Sequence, residues 1–327
     1  MAQYLIRRIL IALAMLVVIT FLVYVLIRST PGDPTLVNLE AMSPDKSVDP
    51  AALQRFREQY YLDKPIPVGY TMWFSKLLQG DLGQSMAYNG APVSQVIGER
   101  IGNTLILTVS SLLLAYMLSI PMGLYFTARN GTMQERGLST VLYMLYSLPS
   151  YVAALFLQLG LAVKLDLLPL FGTHSDNFNQ LTFMGQVWDV AKHAILPVTC
   201  FTYTGLAYYS RFIKANMNEV IRQDFIRTAR AKGVAPRNII LHHAFRNTLI
   251  PLVTQIGLTL PALLGGSVIL EQIFAWPGIG KLFFEALGYR DYPILMSLVL
   301  MFSVLTLLGQ LLADVLYAVV DPRVSLT

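Results

Sequence analysis

Long apolar runs alternate with shorter polar stretches along this chain. Six runs approach or exceed the roughly 20 residues that a helix needs to cross a bilayer: residues 9–27, 104–128, 138–163, 195–213, 249–274 and 293–320. The pattern predicts an all-α membrane protein with six transmembrane helices. Arg7 and Arg8 precede the first run, as in a secretory signal. That run exceeds the roughly 7–15 apolar residues of a signal, and it leads into Arg28-Ser29-Thr30-Pro31 without a small-residue cleavage site. It is expected to remain as an anchor.

With the N-terminus inside, the connections at 129–137, 211–248 and 321–327 face the cytoplasm, as does the C-terminus. Basic residues gather there, above all in 211–248, as expected of cytoplasmic loops. The other three connections then lie outside. Among these, residues 29–103 are the one stretch long enough for a small domain, and their acidic and basic residues balance. Within them, 50–61 reads as a short helix and Gly80-Asp81-Leu82-Gly83-Gln84-Ser85 as a turn. The expected organisation is an N-terminus and first span over 1–28, an extracytoplasmic domain over 29–103, and a five-helix core over 104–327 with a cytoplasmic loop at 214–248.

That loop is patterned as well as charged. It carries Lys214, Arg222, Arg227, Arg230, Lys232, Arg237 and Arg246 against Glu219 and Asp224. Residues 216–231 contain no Pro or Gly, and Val220, Phe225, Thr228, Ala229 and Lys232 recur at spacings close to helical, which predicts an amphipathic helix. Gly233 is placed to stop it in the left-handed conformation. Pro236 suits the first turn of a second helix, where its missing N–H would be unpaired anyway. A helical hairpin showing an aromatic ring among cations suits the grip of a partner protein. Resting on anionic lipid headgroups is the other reading of the same pattern.

Composition agrees with a membrane protein. Hydrophobic residues make up 55% of the 327 and charged residues 13%, about half the charged share of soluble domains. The net charge of +5 does not point to nucleic acid, because the basic residues flank the apolar runs and no nucleic-acid motif is present. The lone Cys200 sits in an apolar run, which leaves no disulfide framework and no paired-cysteine metal or redox site.

Motifs of covalent chemistry are lacking. The nearest approach to a phosphate-binding loop, Gly278-Ile279-Gly280-Lys281, has Ala275 in place of the leading glycine and Leu282 after the lysine, so no nucleotide is expected on this chain. His174, His193, His242 and His243 form no pair one helical turn apart, and no metal site is assigned. No nucleophile elbow supports a hydrolase, and no catalytic residue is assigned. Asp314 lies inside the last run but only seven positions before Asp321, about 10 Å along a helix, which is within reach of the cytoplasmic interface. Glu271 and Gln255, in the fifth run, are the candidates to face a polar translocation path. Pro251, Gly257, Pro261, Gly265 and Gly266 make the same run rich in residues that loosen helices and allow their close approach.

Several short stretches, in this order, resemble the permease subunits of bacterial binding-protein-dependent ABC importers of the peptide and nickel branch, most closely the B-type dipeptide and oligopeptide permeases. They are Pro31-Gly32-Asp33-Pro34, Gly80-Asp81-Leu82-Gly83, Asn103-Thr104-Leu105, the run from Phe225 to Gly233, and His243-Ala244-Phe245-Arg246-Asn247. Phe274-Ala275-Trp276-Pro277-Gly278-Ile279-Gly280, Arg290-Asp291-Tyr292-Pro293 and Asp321-Pro322-Arg323 follow. The superfamily's EAA---G loop is matched in part, with Arg227 and Thr228 where Glu and Ala would stand and with Ala229 and Gly233 kept, as in the peptide branch.

The resemblance implies a multi-pass protein of the bacterial inner membrane whose coupling helix sits in a groove of a separate ATPase. On that reading Asp224, Phe225, Arg227, Thr228, Ala229, Arg230, Ala231, Lys232 and Gly233 form the ATPase-coupling site. Phe225 and Ala229 would pack in the groove, Arg227, Arg230 and Lys232 would pair with its acidic rim, and Gly233 would fix the turn. The implied partners are a homologous second permease, two ATP-binding subunits that carry the ATP and Mg2+, an extracytoplasmic substrate-binding protein and the lipid bilayer. Peptides are the expected cargo, with nickel or another small solute as the alternative. The rival class is an ion-coupled secondary transporter, which the lack of inverted repeats and of ionisable residues at the membrane midplane disfavours.

Overall fold

A computed structural model describes residues 2–32 and 50–320, and the described residues are predominantly helical. Among the described residues no strand forms, and one isolated antiparallel bridge joins Gln84 to Pro92. The helices are α1 (Ala2–Ser29), α2 (Pro50–Gln59), α3 (Ile66–Leu78), α4 (Val93–Ala128), α5 (Met133–Ser147) and α6 (Ser150–Leu157). They continue as α7 (Phe183–Val220), α8 (Asp224–Ala231), α9 (Phe245–Gly265), α10 (Val268–Ile273), α11 (Ile279–Gly288) and α12 (Tyr292–Val320). Two wider π turns, Gln158–Lys164 and Ile239–Ala244, extend α6 and lead into α9.

Three stretches are long and apolar enough to cross a membrane by themselves: Ile6–Ser29, Val93–Ala128 and Tyr292–Leu312. They coincide with the first, second and sixth apolar runs. The third run is not straight. Met133–Ser147 and Ser150–Lys164 meet at 94°, and the bend falls where Leu148, extended at ψ 121°, precedes Pro149; a residue before proline is pushed out of the α region. The fourth run lies inside α7, whose 38 residues give a rod of about 57 Å, longer than a bilayer. The fifth run is broken: Gly266, at φ +59° and ψ −158°, ends α9, and Ser267 caps the short α10 by accepting from the Leu270 N–H.

Packing centres on α4, which lies chiefly along α7, while α9 lies along α12 and α1 along α12. Small residues let these rods approach. Gly123 on α4 meets Ile213 on α7 so closely that a Cβ would stand 2.6 Å from the isoleucine side chain. Large apolar side chains are exposed on α1, α4, α5 and α6, Leu10, Leu22, Leu26, Leu113, Met117, Met144 and Phe156 among them. This outward apolar surface is what a bilayer covers.

The connection after α1 is tied down at several points. The Arg28 guanidinium donates to the carbonyls of Tyr61, Leu62 and Lys64 at 2.8, 3.0 and 3.0 Å. Asp291, fully buried at the start of α12, accepts from the Ser85 hydroxyl and from the N–H groups of Ala87 and Ile294. Burial raises this carboxyl above its ordinary range, and those hydrogen bonds oppose the shift. The Tyr88 hydroxyl donates to Glu285 on α11 at 2.6 Å. The short helix and glycine turn expected in 50–61 and 80–85 are both present, with Gly80 and Gly83 at positive φ. Asp33, Pro34 and the Asp321-Pro322-Arg323 stretch lie outside the described residues, as does the side chain of Asp314.

Candidate coupling site

The amphipathic segment expected over 216–231 is divided. Helix α7 continues to Val220, the chain turns at Ile221–Gln223, and α8 starts afresh at Asp224 with Gln223 extended before it. The division has a packing cause. Met217 on α7 and Ile226 on α8 are both fully buried in one cluster with Ile213, Ile239 and Ala244, and a single straight helix would not fold both onto the same core.

Helix α8 therefore has two faces. Ile226 and Ala229, one turn apart, are both buried, and Ile226 packs in one cluster with Ile239 and Ala244 of the π turn that leads into α9. Asp224, Phe225, Arg227, Thr228, Arg230, Ala231 and Lys232 are exposed, with Phe225 at 40%. Phe225 stands on the open face as expected, but Ala229 points inward, so it is unavailable to an external groove. The side chain that fixes the helix, Ile226, is missed by a reading that looks for exposed recognition residues; its spacing of three from Ala229 is the signal.

The ends of α8 are closed locally. Asp224 sits in the first turn, where the helix dipole favours a negative charge, and its carboxylate accepts from Arg227 at 3.1 Å. Both partners are open to solvent, so the pair adds little stability. At the other end Gly233 has φ +75°. Its N–H donates to the Arg230 carbonyl at 3.0 Å and the Val234 N–H donates to the Ala229 carbonyl at 3.2 Å, the paired hydrogen bonds of a Schellman cap. A Cβ at Gly233 would meet nothing within 4 Å. Conformation, not space, requires glycine here. Pro236 then opens the next helical turn at its first position.

The platform beneath α8 is braced. Lys214, near the C-terminal end of α7, donates to Glu135 at 2.8 Å, and the Glu135 side chain is 5% exposed. Glu135 also belongs to the cap of α5, where its N–H donates to the Thr132 hydroxyl and its carboxylate accepts from Ser139. One buried carboxylate thus joins the start of α5, the loop 129–132 and the shaft that carries α8.

The two path candidates are placed differently from each other. Gln255 lies half-buried on α9, whereas Glu271 lies beyond the break, on α10. Glu271 is fully buried and accepts from Thr104 Oγ1 at 3.2 Å and the Lys281 N–H at 3.0 Å. Thr104 also accepts from the Ile279 N–H at 2.7 Å. A Cβ on Gly266 or Gly278 would collide with the Glu271 carboxylate. In this structure Glu271 therefore faces no open path; it fastens the α10–α11 hairpin to α4. The Trp276 indole N–H donating to the Asn103 carbonyl at 2.8 Å strengthens the same joint.

The architecture is that of an integral membrane transport subunit, and comparison with known proteins gives it a family. Residues 119–326 match the binding-protein-dependent transport system inner membrane component, and residues 1–108 match the N-terminal component of the same systems. The chain belongs to this family of ABC importer permeases. It is 38% identical over 327 residues to the oligopeptide transport system permease AppB of Bacillus subtilis, covering 99% of this chain and all of that one. Likeness to the dipeptide permease DppB of Escherichia coli K12 is 33% over 340 residues, and to the glutathione permease GsiC of Pectobacterium atrosepticum 34% over 325, each covering 99% of both chains. Among solved structures, a MetNI methionine ABC transporter in an inward-facing conformation aligns with TM-score 0.53 and 19% identity over 69% of this chain and 97% of its own. That likeness concerns the fold.

Proposed function

We infer that the chain is the membrane-embedded half of a peptide importer, pairing with a homologous permease to enclose the path. Full-length likeness to oligopeptide, dipeptide and glutathione permeases carries this reading. The chain crosses the inner membrane six times with both termini in the cytoplasm; the bent α5–α6 pair, α7 and α9 supply the crossings beyond the three long apolar helices. An extracytoplasmic binding protein delivers the peptide to the outer connections. The chain itself performs no covalent chemistry and binds no cofactor. Two separate ATPase subunits hold ATP and Mg2+.

Coupling runs through α8. Its open face offers Phe225 as an apolar knob, with Arg227, Arg230 and Lys232 around it as cations. Ile226 packs its other face into the core, with Ala229 buried beside it, so a pull on α8 moves α7 and α9 with it. Closure of two ATPase subunits around ATP would draw two such helices together and switch the path from inward-open to outward-open.

The test is reconstitution of the complex in vesicles with its binding protein and a labelled oligopeptide. ATP-dependent accumulation of the peptide is expected, unaffected by collapse of ion gradients. Accumulation driven by an ion gradient without ATP would instead establish the secondary transporter.

A further inference from the structure

Helix α3 belongs to the connection after the first span, yet it is sunk against that span. Tyr70 is the point of contact. Its side chain is buried, its hydroxyl lies 3.1 Å from the Val17 carbonyl and 3.0 Å from Thr20 Oγ1, and its ring meets Phe21 and Tyr24 at 5.1 and 5.7 Å. Thr20 is eight residues before Arg28, the last charge on α1. At the rise of an α-helix this is about 12 Å, most of the roughly 15 Å depth of one hydrocarbon leaflet. Gly69 makes the approach possible, since a Cβ there would stand 2.5 Å from the Tyr24 hydroxyl. Met296 of α12 closes the cluster from the other side.

Away from Tyr70 the surface of α3 is open and mixed: Val68 is 45%, Met72 37% and Leu78 75% exposed, with Thr71, Ser75 and Lys76 exposed among them. Its surroundings are those of a membrane interface. The Arg28 guanidinium and the Lys76 ammonium, the latter 5.2 Å from the centre of the Tyr61 ring, lie beside a belt of Tyr24, Tyr61, Tyr70 and Trp73. Aromatic belts and snorkelling cations mark the level where hydrocarbon meets headgroups. The neighbouring α1 packs chiefly on α12 and α3 and leaves Val18, Leu22 and Leu26 open. The face of α3 thus continues a surface that lipid already covers.

We propose that α3 is an in-plane membrane helix, lying at the headgroup–acyl boundary of the leaflet at the Ser29 end of α1, with Val68, Met72 and Leu78 covered by lipid. The occupant is lipid because Val68, Met72 and Leu78 lie bare beside the open Val18, Leu22 and Leu26 of the span and a tyrosine reaching towards mid-bilayer, while Thr71, Ser75 and Lys76 on the same helix suit the headgroup level. The outer connection is therefore moored in the membrane through α3, which holds the following loop, Asp81 to Ser85, at a fixed height above the bilayer. This rests on α1 crossing the membrane and is independent of the cargo.

Site-directed spin labelling tests it directly, since the sole cysteine, Cys200, is buried. Val68→Cys, Met72→Cys and Leu78→Cys give three separate reporters, with Leu22→Cys as the lipid reference and Gln54→Cys on α2 as the water reference. The labelled chain, assembled with its co-purifying subunits, is placed in vesicles of phosphatidylethanolamine and phosphatidylglycerol. Collisions with oxygen and with a water-soluble nickel chelate are then measured. The three α3 sites should follow Leu22→Cys, with nickel access severalfold lower than at Gln54→Cys and oxygen access high. Nickel access equal to that at Gln54→Cys would put the face in water and overturn the proposal; low access to both reagents would put it under a partner protein and overturn it equally.

Discussion

Gly233 occupies the left-handed region with open space around it, so adding a methyl group tests backbone conformation alone. Gly233→Ala should cost about 1–2 kcal/mol, read as faster amide exchange at residues 233 and 234; unchanged exchange would mean that the cap is not held by glycine. Asp291 tests the clamp between residues 85–87 and the start of α12. Asp291→Ala leaves the Ser85 hydroxyl and the Ala87 and Ile294 N–H groups without their acceptor, at a cost of about 1–3 kcal/mol for a buried donor. In the wild type the carboxyl is raised by burial, so the folded state holds its proton more tightly than the unfolded chain. Its contribution to stability is full below the ordinary carboxylate pKa and is lost as pH rises through the raised value. Melting midpoints in detergent across that window should fall with rising pH in the wild type and fall less in Asp291→Asn; equal slopes would contradict the assignment.

At the scale of elements, the salt bridge of Glu135 and Lys214 decides how firmly α8 is mounted. Lys214→Ala leaves a carboxylate that is 5% exposed without its cation. The loss should be about 1–3 kcal/mol, and Glu135→Gln combined with Lys214→Met should recover much of it. A double variant as unstable as the single one would show that the pair is not the brace. The elements also explain which readings succeeded from the chain alone. Runs 9–27, 104–128 and 293–320 are predominantly apolar and each lies within one unbroken helix. The bend at Pro149 and the break at Gly266 lay inside runs that hydropathy counts as continuous, and only the local signals of a proline and paired glycines marked them. The split before α8 had no such signal: no Pro or Gly interrupts 216–231, and burial of Met217 and Ile226 in a common core set the turn. For the same reason the inward direction of Ala229 was not legible, because composition alone does not say which side of a short helix meets its own core. Glu271 read as a polar residue near a path because the groups that hold it, the Lys281 N–H on α11 and the Thr104 hydroxyl on α4, come from elements that the linear pattern does not bring together.

For the whole molecule, the account makes one helix the contact between a membrane path and an external source of work. Phe225 is half-exposed and carries no part of the internal packing clusters, so Phe225→Asp should leave the fold and membrane insertion intact. The most direct measurement is purification of the wild type and of Phe225→Asp from native membranes in mild detergent, with bound ATPase subunits counted against the second permease. The wild type should retain both ATPases and the variant should lose most of them while keeping its permease partner. Equal retention of the ATPases by a correctly inserted Phe225→Asp protein would contradict the coupling role assigned to α8.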